Sequence, residues 1–119
     1  MKRIATIIPA LALVLIVAVV AVHAQRSTEL RSVRGTVIDK AESPATSAVV
    51  YLKNARTLTV KTYISEDRGQ YHFSGLDPNS DYEIHAEREG LSSNNHTISS
   101  LDGRKEFVVT LKLDKEKKK

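Results

Sequence analysis

Glu83, His85 and Glu87 occupy alternate positions of one short run. In an extended strand all three side chains point the same way, each about 6.6 Å from the next. A cluster of that kind could give a metal two ligands if another strand supplied more. Charged residues alternating on one side are also what a solvated strand face looks like, and that is the expectation here. The other histidines beyond residue 24 are His72 and His96, and neither falls in a His-Glu-x-x-His pattern. Gly-x-Ser-x-Gly and glycine-rich phosphate loops are also missing from the sequence. The expectation is therefore no catalytic residue, no metal, no cofactor and no enzyme. Asp67 and Asp77 fall in turns, where calcium is conceivable, but turn aspartates more often bond their own backbone. Asn95-His96-Thr97 spells an N-glycosylation sequon.

The elements that carry these residues read as strands. No stretch after Gln25 keeps an apolar helical period beyond two turns, whereas period-two alternation recurs in short runs. The runs are Arg31–Asp39, Ala48–Asn54, Thr57–Ser65, Gln70–Ser74, Asp81–Arg88, an edge strand near His96–Ser99, and Lys105–Leu113. Between them lie turn residues: Lys40–Ser47 with Pro44, Glu66–Gly69 with Gly69 suited to positive φ, and Gly75–Ser80. Val33, Gly35 and Val37 share one face, as do Ala48, Val50 and Leu52, and Tyr82, Ile84 and Ala86. In Thr57–Ser65 the apolar set is Leu58, Val60 and Ile64, with Tyr63 on the other side. Seven strands in residues 31–113 predict an all-β antiparallel sandwich. If Val49 and Tyr51 face outward, Tyr51 and Tyr63 could form an exposed patch for a sugar or a peptide. The polar Leu91–Ser100 segment could instead offer an edge to a partner strand.

The ends of the chain bear on compartment. Lys2 and Arg3 precede an almost wholly apolar run from Ile4 to Val22, which Val22-His23-Ala24 closes. That is the order of a secretory signal, with cleavage expected after Ala24. The run also approaches the ~17–25 residues of a membrane span, so an uncleaved anchor is the alternative. Both place the rest of the chain outside the cytoplasm, in the periplasm or beyond. Residues 25–30 read as a linker. Residues 114–119 read as a basic disordered tail, in which Lys117, Lys118 and Lys119 could dock weakly on an anionic membrane. Most of the net charge of +4 sits in the leader and this tail, and the body between is close to neutral. A neutral body with six aromatics scattered through it argues against nucleic acid as a partner. With no Cys in the chain, the fold depends on its apolar core alone.

Five pieces in order resemble the carboxypeptidase regulatory-like domain, one of the transthyretin-like (prealbumin-like) sandwiches. Gly35-Thr36-Val37-Ile38-Asp39 is similar to its opening Gly-x-Val-x-Asp strand. Pro44 and then Ala48-Val49-Val50-Tyr51-Leu52 resemble its Pro and Ala-x-Val-x-Leu. Asp67-Arg68-Gly69-Gln70-Tyr71-His72-Phe73 is close to the end of its Thr-Asp-x-x-Gly-x-Tyr-x-Phe, with Ser65 and Glu66 departing from the start. Gly75-Leu76, then Tyr82-Glu83-Ile84-His85-Ala86 and Gly90, complete the match, with Asn79 and Ser80 where a glycine is common. The resemblance implies an accessory module of exported bacterial proteins, in a fold group sometimes labelled carbohydrate-binding-like, and so an inert sequon at Asn95. Some transthyretin-like proteins are purine-pathway hydrolases with a terminal Tyr-Arg-Gly-Ser, which this chain lacks.

Together these features predict an exported, non-catalytic binding module contacting an envelope protein or a glycan. Contacts are expected from Tyr51, Tyr63, His96, Lys117, Lys118 and Lys119. The alternative is a membrane-anchored stalk with no ligand of its own. Membrane contact is expected only through an uncleaved leader or, weakly, through the tail.

Overall fold

The computed structural model describes residues 29–117, all strand, turn and loop. The expected leader, with its cleavage site, and Lys118 and Lys119 lie outside the described residues. Nine strands follow in order: β1 Arg31–Ile38, β2 Val49–Asn54, β3 Val60–Ile64, β4 Gln70–Leu76, β5 Tyr82–Arg88, β6 Leu91–Ser92, β7 His96–Ile98, β8 Glu106–Lys112 and β9 Lys115–Glu116. The seven expected strands are present, and the two-residue β6 and β9 are additional.

They form two sheets. The first has the order β4-β1-β8; the second runs β3-β2-β5-β6-β9, with β7 also paired to β5. The long edge of β5 is thus divided: Tyr82–Ile84 face β7, while Glu87 and Arg88 face β6. Ser93 fills the gap between them. Its N–H donates to Ala86 O at 2.9 Å, and its Oγ accepts from Ala86 N–H at 2.8 Å. One pair departs from antiparallel order: β1 and β8 run parallel, from Ser32 opposite Glu106 to Ile38 opposite Lys112. A parallel pair needs a long crossover, and β2 to β7 lie between β1 and β8 in sequence.

Side chains from both sheets meet in one core. Val33, Val37, Tyr71, Phe73, Val109 and Leu111 come from the first; Val50, Leu52, Ile84, Ala86 and Ile98 come from the second. The alternation in β1, β2 and β5 therefore selects the inward residues correctly. In β3 it is inverted. Leu58, Val60 and Ile64 are 64%, 52% and 56% exposed, while Tyr63 packs against the core. The turn ahead of β3 sets this phase. Asn54 Oδ1 accepts from Arg56 and Thr57 N–H, Asn54 N–H donates to Thr59 O, and Leu58 takes φ +65°. Val50 then stands opposite Tyr63, so Tyr63 shares the inward face of Val50 and meets Phe73 edge-on at 6.0 Å. One residue of register decides the face of a whole strand.

Two glycines are sterically required. Gly35 stands between Tyr71 on β4 and Val109 on β8. A Cβ there would lie 1.7 Å from Val109 O and 2.8 Å from Tyr71 Oη. Without it, the Tyr71 hydroxyl reaches across β1 and donates to Val109 O at 2.6 Å. Gly69 has the expected positive φ, +74°, and its carbonyl accepts from Val37 N–H at 2.8 Å. The Asp77–Ser80 turn needs no glycine. Asp77 Oδ1 accepts from Asn79 N–H at 2.9 Å and Oδ2 from Ser80 Oγ at 3.1 Å, with Asn79 outside the left-handed region.

Candidate interaction surface

The outward faces of the two sheets differ in chemistry. On the first sheet the exposed positions are largely polar: Arg34, His72, Ser74, Glu106 and Thr110, with Val108 among them. Arg34 and Glu106 form an exposed ion pair at 3.4 Å. On the second sheet three cross-strand rows form the face. They are Ile64–Val49–Glu87, Thr62–Tyr51–His85 and Val60–Lys53–Glu83. An apolar margin on β3 thus grades into charge on β5.

Glu83, His85 and Glu87 share a face, as their spacing requires. His85 Nε2 lies 3.0 Å from Glu87 Oε2, and the His85 ring stacks on Tyr51 with centroids 5.0 Å apart and planes 15° apart. Lys117 Nζ donates to Glu87 Oε1 at 2.6 Å, and Lys117 N–H donates to Gly90 O at 2.8 Å. The Lys117 hydrogen bond, followed by that of His85, holds the Glu87 carboxyl below the ordinary glutamate range. Glu87 in turn raises the Lys117 ammonium. The carboxylate is thus engaged by its own fold. Among the described residues no group of three His, Cys, Asp or Glu is placed to hold a metal ion. Beside the cluster lies an open groove of about 470 Å³, lined by Ser47, Val49, Tyr51, Glu87, Arg88 and Lys117 among others.

The expected contact residues are separated by the fold. Tyr51 is outward and half-buried, and it shares the groove with Lys117. Tyr63 is on the opposite face, so the expected Tyr51–Tyr63 patch does not form. His96 is exposed on β7 in register with Ile84, away from the Tyr51 row. The start of the expected disordered tail is ordered, because Lys115–Glu116 pair with Leu91–Ser92. That pairing also covers β6 on both sides, leaving only the β7 part of the Leu91–Ser100 segment as an edge. Val60 and Ile64 belong to the apolar set of the alternation, yet both face solvent. The Asn54 side chain at the start of the hairpin is the local signal that puts them outside.

At the far end, Arg31 is 5% exposed. Its Nη1 donates to Ser99 O at 3.0 Å and Asp102 O at 3.1 Å, and its Nη2 to Ser80 O at 3.3 Å. Its Nε has no partner among the described residues. Arg31 and Arg104 both lie over the Phe107 ring, at 5.4 and 4.9 Å. Arg104 also binds Asp102 at 2.6 Å and holds that carboxyl down to about 2. This is a structural knot that ties the 77–80 and 99–102 loops to β1.

Residues 32–114 match the carboxypeptidase regulatory-like domain. The chain belongs to that family. The regulatory-like domain is a non-catalytic module, as the resemblance in the β1, β2, β4 and β5 pieces implied. No curated protein sequence matches the chain. Among solved structures it is similar to catechol 1,2-dioxygenase from Acinetobacter sp. ADP1, inhibited by bound mercury. The TM-score is 0.55 and the identity 12%, over 76% of this chain and 54% of that one. It is also similar to catechol 1,2-dioxygenase from Pseudomonas arvilla C-1, with a TM-score of 0.50 and 11% identity, over 71% and 52%. The regulatory-like domain spans about half the length of these dioxygenases, and the likeness is one of β-sandwich fold alone.

Proposed function

We propose that this regulatory-like domain is an exported, non-catalytic binding module that contacts a protein or a glycan in the cell envelope. The observation that carries it is the asymmetry of the two sheets: one outward face is largely polar around a lone Val108, the other has Val60 and Ile64 exposed beside a half-buried Tyr51. Ile64 stands opposite Val49, Val60 lies four residues along the same strand face, and exposed apolar side chains grouped on one face mark contact surfaces more often than scattered ones do. The Tyr51 groove offers a ring with carboxylate, ammonium and hydroxyl groups around it, the chemistry a sugar needs. Export rests on Lys2, Arg3 and the apolar run to Val22.

A glycan array, a capture experiment from envelope extract and cell fractionation test this reading together. The expected result is specific binding that Tyr51→Ala or Ile64→Glu weakens, with the chain outside the cytoplasm. A cytoplasmic chain, or turnover of a substrate by the purified protein, would refute it. A second reading is a membrane-held stalk, favoured by the length of the apolar run. Its signature is a mature mass that includes Met1–Ala24, together with recovery in the membrane fraction and no binding.

A further inference from the structure

One end strand of the second sheet is open: among the described residues, β3 pairs with β2 on one side only. Asn54 N–H donates to Thr59 O, and Ser65 N–H donates to Ala48 O. Bonded pairs in an antiparallel ladder recur at every second residue. Lys61 and Tyr63 therefore direct their backbone groups to Leu52 and Val50, their partners in register. Val60, Thr62 and Ile64 direct theirs away from the sheet, and the same three residues carry the side chains of the outward face.

Charge selects what can pair there. From Val49 to Ile64 the hairpin holds Lys53, Arg56 and Lys61 and no Asp or Glu. Arg56 is paired with Asp77, whereas Lys53 and Lys61 have no ion pair among the described residues. In a body close to neutral, an acid-free hairpin with an open edge is a local cationic margin. Lys61 lies on the inward side of β3, a placement that discourages uncharged strands from adding. A strand that brings a carboxylate opposite Lys61 removes that obstacle.

We infer that the β3 edge accepts an extended protein segment in which apolar and acidic residues alternate. Its apolar side chains lie beside Val60 and Ile64 and continue the row from Val49. Its acidic side chains lie on the other side, beside Lys61. Its backbone pairs with Val60, Thr62 and Ile64. Such a partner gives the proposed binding role a ligand and rests on that role, while the Tyr51 groove is a separate surface with its own glycan test.

The test is amide NMR of the ¹⁵N-labelled full-length chain with a short capped peptide of alternating valine and glutamate. The expected result is saturable shifts and slowed exchange at the Val60, Thr62 and Ile64 amides. Replacing each glutamate with lysine should weaken binding about tenfold or more, and Lys61→Glu should reverse the preference. Lys61 is exposed, so that substitution leaves the core untouched. Shifts confined to other strands, or equal affinity for both peptides, would overturn the inference. So would concentration-dependent shifts at Val60–Ile64 without peptide, because the occupant would then be a second copy of the chain.

Discussion

At the scale of single residues, Gly35, Tyr71 and Arg31 make the regulatory-like domain specific. The hydroxyl of Tyr71 is buried, which raises its pKa far above that of a free tyrosine, and it stays protonated as a donor to Val109 O. A methyl group at Gly35 would collide with that same carbonyl and with the hydroxyl. Gly35→Ala should therefore cost about 3 kcal/mol or more, through strand displacement. Tyr71→Phe removes only the hydrogen bond and should cost about 1 kcal/mol. Urea unfolding of both variants checks the order, and a Gly35→Ala chain as stable as wild type would refute it. Arg31 ties two loops through backbone carbonyls, so Arg31→Met, which leaves those carbonyls without their donor, should cost about 1–3 kcal/mol. Loss of amide protection in both the 77–80 and 99–102 segments would accompany it.

At the scale of elements, the end of the chain is held by a pH-sensitive contact. Lys117 binds Glu87 through its ammonium and Gly90 through its N–H, fixing the short β6–β9 pairing. The Glu87 pKa is lowered, so its contribution is present above the unfolded glutamate value, about 4.3, and is lost as pH falls through the folded value. The Lys117 pKa is raised, so its contribution is present below about 10.4 and is lost as pH rises through the folded value. The Lys117 amide should thus keep its protection across neutral pH and lose it in acid, while Glu87→Gln should lose it at neutral pH too. An unchanged Lys117 amide in that variant would show that the lysine does not hold β9.

How far these elements could be read in advance depended on where each strand lies. In β1, β2 and β5 the inward residues are apolar and both neighbours are strands, so alternation and burial agree. Among the described residues β3 has a neighbour on one side only. Counting apolar residues there favours Leu58, Val60 and Ile64, but the Asn54 turn and the match of Tyr63 to Phe73 decide otherwise. The ordering of Lys115–Lys117 was also hidden, because a lysine-rich end looks solvated until Glu87 is found thirty positions earlier and adjacent in space. The parallel β1–β8 pair leaves no local trace at all. The Tyr51–His85 stack follows from register, which alternation within single strands does not fix.

At the scale of the whole molecule, a largely polar outward face on one sheet and an apolar, cationic margin on the other give the sandwich a contact side. The exposed residues Thr62 and Thr110 stand on the outward faces of different sheets and serve as matched probes. Spread of binding over both faces would mean that the asymmetry has no role. The most direct measurement is a photo-crosslinking amino acid placed at position 62 or at position 110 in cells producing the full chain. A discrete adduct from position 62, with none from position 110, is the predicted result. Equal adducts from both positions, or an adduct only from 110, would contradict the claim that this domain works by contact through the second sheet.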